Sequence, residues 1–226
     1  MKQSLGIFVT GTNTEVGKTM VTRALARAFV NRGKRVAAVK PVESRDDEGP
    51  SDTELLLTAA RMEVSPKETC AYSFSNPVSP HLASQKEGIS IQKEPIYDLV
   101  VHWGAKADIL LVEGAGGLLV PLSKELLYVD LMVDLNFPVL IVAPNELGAI
   151  NSKLLTIEAA RSRGLDIAGV ILNRTEPTGL DNASAIAQHG KVPLLGSLPT
   201  VFPLATDDNL AELAETHLDL DCLLIK

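Results

Sequence analysis

The sequence predicts an α/β fold built as a doubly wound, mostly parallel sheet with helices on both faces. Short apolar runs rich in β-branched residues alternate along the chain with longer stretches of helical periodicity. These runs are apolar throughout, which is typical of strands covered on both faces. A loop with a glycine at each end separates the first run from the first helix. At 226 residues, the chain is predicted to form a single domain over residues 1–226.

The first part of the chain opens with a buried strand over residues 5–10. Beyond the loop, apolar residues recur at the spacing of a packed helix, namely Val21, Ala24, Leu25, Ala28 and Phe29. Gly33 is a natural end for that helix, and residues 36–39 form a second apolar strand. From residue 43 to residue 92 the chain is rich in loops and prolines, and one helix is predicted there, over residues 52–61. Long loops in compact domains are usually functional, so this part is expected to shape a substrate site.

The alternation continues to the end of the chain. A helix with Ile96, Leu99, Val100 and Trp103 on one face precedes an apolar strand over residues 108–112. Further strands are predicted at 138–142, 167–172 and 193–195, and further helices at 129–135, 150–163, 180–189 and 208–216. Ligands of parallel sheets bind outside the carboxyl ends of the strands. The residues at those ends are therefore the first candidates for a site.

Composition narrows the possible functions. The formal net charge of −7 argues against a nucleic-acid-binding surface, because phosphate backbones favour basic stripes. No signal peptide is expected, since the first three residues lead directly into the first strand. No apolar stretch approaches the ~18 residues that a membrane helix needs. Cys70 and Cys222 are far apart, as in a reduced chain. We therefore expect a cytoplasmic protein with no membrane contact.

The strongest motif is Gly-Thr-Asn-Thr-Glu-Val-Gly-Lys-Thr, residues 11–19, between the first strand and the first helix. Strand, loop, Gly-Lys-Thr and helix is the context of a phosphate-binding P-loop. The free N–H groups of the helix start attract an anion, Gly17 permits close approach, Lys18 adds positive charge, and Thr19 can offer its hydroxyl to Mg²⁺. Five residues separate the two glycines, where the general pattern has four. A helix cap is the alternative interpretation.

Other candidates lie at or near the ends of the later strands. Glu113 closes an apolar strand before a glycine-rich stretch, so it can bind Mg²⁺, although a loop carboxylate is the alternative. Lys40, which ends the second strand and is expected beside the P-loop, can neutralise phosphate charge or be solvated. Asp52 either caps a helix or binds the metal. Ser44 is a candidate ligand hydroxyl, and Gly116 and Gly117 can bring N–H groups to a phosphate or a substrate.

Two polar stretches are less specific. The segment Asn-Glu-Leu-Gly, residues 145–148, leads into a predicted helix, whose N–H groups can bind a carboxylate. Asn173 follows a strand, and its amide can both donate to and accept from a purine edge. Ordinary turn chemistry explains either stretch equally well. The histidines show no metal-ligand spacing, and no nucleophile elbow or Cys/His pair is present. His81 is expected to support its loop.

Taken together, these segments resemble the dethiobiotin synthetase family, the ATP-dependent carboxylases of biotin synthesis. The resemblance runs from residue 8 to about residue 205 and includes FVTGTNTEVGKT, VKPVES, SDTELL, NPVSPHLA, ILLVEGAGGLLVPL, PNELGAINS and LPTVFPLA. The five-residue loop spacing belongs to this family's own version of the P-loop. The resemblance implies that 7,8-diaminononanoate reacts with CO₂ to a carbamate, that ATP phosphorylates the carbamate, and that the second amine closes a ureido ring. No side-chain nucleophile is required.

The resemblance also implies roles for particular residues. Catalysis is assigned to Lys40, Lys18 and Thr14, and Mg²⁺ is assigned to Thr19, Asp52 and Glu113. ATP is expected to contact Thr14, Glu15, Val16, Gly17, Lys18, Thr19, Asp52, Glu113, Gly114, Ala115, Gly116, Asn173, Arg174, Pro199 and Val201. The substrate is expected to contact Ser44, Gly117, Leu147, Gly148, Ala149, Ile150 and Asn151. The last five of these would bind the substrate carboxylate of a neighbouring subunit, which implies a homodimer.

Two departures from the family pattern affect these expectations. Arg174 stands where an Asp follows the matching Asn in one member of the family, which bears on ribose and purine contacts. Residues 180–190 contain no Tyr, whereas one member of the family has a substrate-contacting Tyr in this region. Leu118-Leu119 stands where an aromatic pair is common in the family, so the packing around the substrate is expected to differ. The main alternative is a partition-type P-loop ATPase that acts as a nucleotide-dependent dimer switch. Its usual early P-loop lysine and basic surface are missing from this sequence. An amidoligase would need a nucleophilic Cys, which neither cysteine's context provides.

Overall fold

The computed structural model describes residues 4–45, 49–146, 149–175, 182–201 and 205–224. The strands in these ranges are β1 (Leu5–Gly11), β2 (Val36–Val39), β3 (Val42–Ser44), β4 (Tyr72–Phe74), β5 (Ile109–Gly117), β6 (Val139–Pro144), β7 (Ile167–Thr175) and β8 (Leu194–Pro199). The helices are α1 (Lys18–Asn31), α2 (Asp52–Ala60), α3 (Pro80–Glu87), α4 (Lys93–Gly104), α5 (Tyr128–Leu135), α6 (Ala149–Ser162), α7 (Asn182–Gly190), α8 (Asp207–His217) and α9 (Leu220–Leu224). A 3-10 turn covers Pro66–Glu68.

The predicted fold class is confirmed. In the described part of the chain, six strands form one sheet in the order β2-β5-β1-β6-β7-β8, and every neighbouring pair is parallel. A parallel sheet brings the carboxyl ends of its strands to one edge. The phosphate loop after β1 therefore lies between the ends of β5 and β6.

Lys40 lies beside the P-loop as expected, since both line one cavity, but the sheet order corrects the reason for that expectation. The sequence places the second strand beside the P-loop strand, but β5 lies between β2 and β1. The register sets Glu113 of β5 opposite Val9 of β1. Glu113, not Lys40, therefore comes from the strand next to the loop. Strand insertion of this kind is a long-range property, so local patterning does not reveal it.

Helices cover both faces of the sheet because successive strand residues point to opposite sides. Leu110 packs in one fully buried cluster with Phe8, Val112 and Ile141. Leu111 packs in the other with Ile7, Val9 and Val142, against the apolar face of α1. The continuous apolar runs in the sequence are thus explained by burial on both sides. The helices in the described ranges are too short or too polar to traverse a bilayer.

The stretch from residue 43 to residue 92 differs most from the prediction. Besides α2, it contains the two three-residue strands β3 and β4, which pair in parallel, and the helix α3. Three-residue strands are too short to show periodicity. In α3 only Pro80 and Ala83 are buried, so an apolar stripe is missing there as well. His81, expected in a loop, lies in α3 and contacts the hydroxyl of Ser79 at 3.1 Å.

Lys153 is a fully buried cation in the second turn of α6. Its ammonium donates to the carbonyl of Ala149 at 3.1 Å, and no carboxylate in the described residues pairs with it. Burial lowers the pKa of Lys153 to about 8, against the opposing charge of Glu146. Below this pH the folded state therefore keeps a charge that it solvates poorly.

We expect Lys153→Met to raise the free energy of unfolding by about 1–3 kcal/mol at pH 7. The pKa of Lys153 is lower in the folded state than in the unfolded state, so the free-energy cost of its buried charge is fully present below pH 8. It fades as the pH rises toward the unfolded pKa of about 10.4. Urea unfolding at pH 7 and pH 10, at one protein concentration, measures this gain. The exposed Lys34 supplies the control Lys34→Met, and a gain at Lys153 that is independent of pH contradicts the assignment.

Candidate functional site

The loop between β1 and α1 leaves the start of α1 open to an anion. The first turn of α1 contains no acidic residue, and its N-cap Gly17 makes no side-chain hydrogen bond. Lys18 reaches back over the loop, where its Nζ donates to the carbonyl of Asn13 at 3.2 Å. Backbone N–H groups, the helix dipole and this ammonium together favour a phosphate at the position.

Gly17 is required at its position for two reasons. Its φ of 90° lies in the left-handed region that disfavours side chains. A Cβ added there would also stand 1.9 Å from Nδ2 of Asn173. That amide donates to the carbonyl of Val16 at 2.9 Å, and its Oδ1 is buried without a hydrogen-bond partner in the described residues. The end of β7 thus holds the loop in shape.

A buried charge cluster lies beside the loop. The ammonium of Lys40 sits between two carboxylates: it contacts Oδ2 of Asp52 and Oε1 of Glu113, the latter at 2.9 Å. The hydroxyl of Thr19 donates to the same Oε1 of Glu113 at 2.8 Å. Lys40 directly follows β2, and β5, α1 and α2 supply Glu113, Thr19 and Asp52 respectively. The cluster therefore fixes all four elements at the sheet edge.

Burial and charge shift the proton affinities of this cluster. Burial lowers the pKa of Lys18 to about 8, although the negative charge of Glu113 opposes the shift. Burial also acts against the charge of Lys40, but Glu113 and Asp52 outweigh it and raise the pKa of Lys40 above its usual value. The Lys40 ammonium similarly outweighs burial and lowers the pKa of Asp52. Lys40 thus stays charged at neutral pH, where a transferring phosphoryl group needs positive charge.

The oxygen atoms here suit a hard divalent cation. Oε2 of Glu113 is completely buried and has no hydrogen-bond partner in the described residues. The hydroxyl of Thr19 and the carboxylate of Asp52, which is 41% exposed, supply further oxygens. No group of three His, Cys, Asp or Glu side chains placed for a metal occurs among the described residues. A Mg²⁺ ion would therefore need phosphate oxygens and water as well, as is usual for this metal.

A cavity of about 740 Å³ opens over the loop and the charge cluster. The predicted residues that line it are Thr14, Glu15, Gly17, Lys18, Thr19, Lys40, Ser44, Asp52, Ala115, Gly116 and Arg174. Residues of the proline-rich stretch, including Pro50, Pro77 and Pro80, complete its wall. The cavity is large enough for a nucleotide phosphate chain and a small substrate together.

A second cavity of about 210 Å³ lies on the other side of Gly17. Of the predicted residues, Gly17, Asn173, Arg174 and Val201 line it, together with Met20, Arg23, Thr200, Ala205 and Leu210. Arg174 is exposed, has a φ of 56°, and lines both cavities. The two cavities thus meet at the loop, and the smaller cavity lies beside the Asn173 amide.

Other predicted residues line neither cavity. Glu113 stands behind the larger one and reaches it through Thr19 and Lys40. Val16, Gly114, Gly117 and Pro199 also lie outside both linings, and so do Ala149, Ile150 and Asn151 at the start of α6. Leu147 and Gly148 lie outside the described residues. Residues 202–204, which follow the predicted ATP contact Val201, also lie outside them. Ser44 lines the larger cavity and donates to the carbonyl of Val78 at 2.6 Å.

Glu43 is the residue that sequence reasoning missed. It is only 4% exposed, it lines the larger cavity, and its carboxylate binds the first turn of α2. An acid directly after Lys-Pro-Val at a strand end was a visible signal. The contact with α2 depends on the chain folding back over several intervening residues, which no local pattern reports.

Comparisons with known proteins find relatives that match most of the chain. A family model described as an AAA domain matches residues 5–207. The chain is 41% identical over 203 residues to an ATP-dependent dethiobiotin synthetase of Nitrosospira multiformis, covering 88% of this chain and 90% of that relative. It is 38% identical over 236 residues to the protein of the same name from Thermodesulfovibrio yellowstonii, covering 97% and 98%.

Solved structures with the same fold are more distant in sequence. A ParA family ATPase from Chlorobium tepidum has a TM-score of 0.61 at 14% identity, with 99% of each chain covered. The MinD cell division protein of Aquifex aeolicus has a TM-score of 0.57 at 18% identity, covering 98% of this chain and 96% of that one. At such low identity these neighbours support the fold alone.

We expect Gly17→Ala to lower ADP affinity at least 100-fold, because the new methyl group would displace the Asn173 amide and strain the loop. Gly33→Ala is the matched control at the other end of α1. Its φ of 75° carries the same backbone strain, but a Cβ there meets nothing within 4 Å. Calorimetric titration with ADP compares the two variants. Equal losses of affinity would show that backbone strain, not the contact with Asn173, sets the effect.

Proposed function

The chain belongs to the ATP-dependent dethiobiotin synthetase family, and we propose that it converts 7,8-diaminononanoate, CO₂ and ATP to dethiobiotin, ADP and phosphate. The observation that supports this most directly is that Lys18, Thr19 and Lys40 line one cavity next to an open helix start, with Glu113 bound behind Thr19 and Lys40. The cavity offers positive charge and hydrogen-bond donors, and the reaction requires no side-chain nucleophile.

The proposed reaction balances in three steps. One amine of the diamine attacks CO₂ and loses a proton, which gives a carbamate. A carbamate oxygen then attacks the terminal phosphorus of ATP, so that ADP leaves and a mixed carbamic-phosphoric anhydride forms. The second amine attacks the carbamoyl carbon, phosphate leaves with the C–O bond electrons, and loss of a proton completes the five-membered ring.

The residues of the loop bind and orient the phosphates in this proposal. The N–H groups from Thr14 to Thr19 surround the phosphate chain, and Lys18 lies across the transferring group. Lys40 faces the carbamate and the terminal phosphate, because Glu113 and Asp52 hold its ammonium at the cavity wall. Ala115 and Gly116 add wall contacts above the same position. Preorganised positive charge then stabilises the negative charge that develops during transfer.

Thr19, Asp52 and Glu113 are the proposed Mg²⁺ ligands. Bound there, the ion would neutralise phosphate charge and orient the terminal group. The partnerless buried Oε2 of Glu113 supports this assignment. Lys40 supplies the positive charge between the two carboxylates in the present structure.

The smaller cavity is the proposed adenine site. The buried, partnerless Oδ1 of Asn173 can accept from the exocyclic amine of the base, while Nδ2 stays bound to Val16. Val201 lines this cavity, and Pro199 ends β8 nearby. Arg174, which stands where one member of the family carries an Asp, lies between the base and phosphate cavities and can contact the nucleotide from either side.

The remaining assignments also stay proposals. Ser44 and Gly117 are proposed substrate contacts in each subunit. Residues 147–151 are proposed to bind the substrate carboxylate of a neighbouring subunit in a homodimer, which fits the position of Ala149, Ile150 and Asn151 outside both cavities. A single domain over residues 1–226 and a cytoplasmic location without nucleic-acid or membrane partners are likewise proposed.

We expect phosphate release that depends on the diamine when the protein is incubated with ATP, Mg²⁺, bicarbonate and 7,8-diaminononanoate. Each phosphate released should match one dethiobiotin detected by mass spectrometry. Release that ignores the diamine would reject the proposed carboxylase and favour the nucleotide-dependent dimer switch. The switch alternative further predicts that dimerisation, measured by light scattering, changes with the nucleotide bound.

Lys40→Ala is expected to lower kcat for ring formation at least 100-fold, because one preorganised cation is lost at the developing charge. ADP binding should persist, since the loop after β1 is untouched, and it confirms that the variant folds. Lys93→Ala is the control: Lys93 is 37% exposed and pairs with Asp134 outside the cavity. Unchanged turnover in Lys40→Ala would remove Lys40 from the mechanism.

A further inference from the structure

Glu43 of β3 is a buried carboxylate that the proposed reaction does not use. Its side chain is 4% exposed and stands at the wall of the larger cavity. No Lys, Arg or His of the described residues forms a salt bridge with it, although Lys40 lies three residues away. A buried carboxylate without a cation needs strong hydrogen bonds to remain charged.

The first turn of α2 supplies those hydrogen bonds. Oε1 of Glu43 accepts from the backbone N–H of Asp52 at 2.7 Å and from that of Thr53 at 3.4 Å. Oε2 accepts from the hydroxyl of Thr53 at 2.7 Å. The carboxylate therefore satisfies the first two free N–H groups of the helix, where the dipole also favours negative charge.

The third N–H group of α2 is satisfied separately. The hydroxyl of Ser51 accepts from the backbone N–H of Glu54 at 3.0 Å, and the Glu54 carboxylate accepts from the backbone N–H of Ser51 at 2.7 Å. This capping box would allow α2 to begin without Glu43. The contribution of Glu43 is thus specific to Asp52 and Thr53, and not to helix formation in general.

The consequence concerns the side chain of Asp52. A short acidic side chain at a helix start competes for nearby free N–H groups. Because Glu43 already occupies those groups, the Asp52 carboxylate remains free to reach Lys40 and the cavity. The same contacts keep the start of α2 closed to outside anions, while the start of α1 stays open.

We propose that Glu43 is a positioning residue that fixes the first turn of α2, so that Asp52 is held ready as a metal ligand. The inference rests on the proposed function only in its assignment of the metal to Asp52. Groups that orient metal ligands in this way commonly change metal affinity by 10–100-fold when they are removed.

The test measures Mn²⁺ binding by electron paramagnetic resonance, in the presence of a non-hydrolysable ATP analogue. Glu43→Ala is expected to weaken Mn²⁺ binding about 10–100-fold. Glu43→Gln, whose amide oxygen can still accept from Asp52, should recover most of that loss. Glu54→Ala removes an acid from the same helix start without touching Asp52 and should stay within about twofold of the wild type. Unchanged Mn²⁺ affinity in Glu43→Ala would overturn the proposal.

A double-mutant cycle distinguishes positioning from an independent contribution. In the Asp52→Asn background, Glu43→Ala should weaken Mn²⁺ binding no further. An equal loss in both backgrounds would overturn the proposal. Hydrogen–deuterium exchange of the nucleotide-free protein gives a further readout. The backbone amides of Asp52 and Thr53 should exchange faster in Glu43→Ala than in the wild type, and unchanged exchange rates would also overturn the proposal. Should Glu43→Ala fail to fold, Thr53→Val removes one donor to Oε2, and Mn²⁺ affinity unchanged by that variant counts against positioning.

These readouts separate this inference from the proposed function. They require neither the diamine nor turnover. Diamine-dependent phosphate release without the Glu43–Asp52 coupling would reject the positioning role alone. Coupling without diamine-dependent release would reject the carboxylase alone.

Discussion

The Lys40 ammonium, bound between Glu113 and Asp52, is the interaction on which the rest of the site depends. Glu113 is completely buried, and an unpaired carboxylate there would cost several kcal/mol. Lys40 and Thr19 satisfy one of its oxygens, which leaves the other for a ligand. Because the partners come from β5, α1, α2 and the residue that follows β2, those elements must pack correctly before the charges balance. The need to pair these buried charges therefore determines how the elements around the cavity pack.

Much of this arrangement was predictable from local chemistry. The phosphate loop is recognisable from the strand before Gly11 and the apolar stripe after Thr19, and the ends of the apolar runs indicated Lys40 and Glu113. Strand order was not predictable in the same way, since nothing near β2 reports that β5 pairs with it. The β3–β4 pair and α3 escaped notice because they are short and bury few residues. The role of Glu43 depends on a contact with α2, which exists only after folding.

Fold and function separate clearly in this chain. The overall fold is shared with MinD and ParA proteins at 18% identity or less, so the scaffold alone does not decide the chemistry. In this chain the larger cavity is walled by the proline-rich stretch, and carboxylates at the start of α2 lie beside it. These features lie in the least regular part of the chain, where variation costs the core little.

The Asn173 amide fills the space that a side chain at position 17 would otherwise take. Its bond to the Val16 carbonyl joins residues 157 positions apart, so the loop obtains its support from a strand made much later in synthesis. Contacts of such separation close late, because a long segment of chain must first be ordered. A ribosome-bound chain that has not yet released β7 therefore holds the whole Gly-Lys-Thr sequence without its supporting amide. The loop is therefore fully supported only once the distal strands of the sheet have been made.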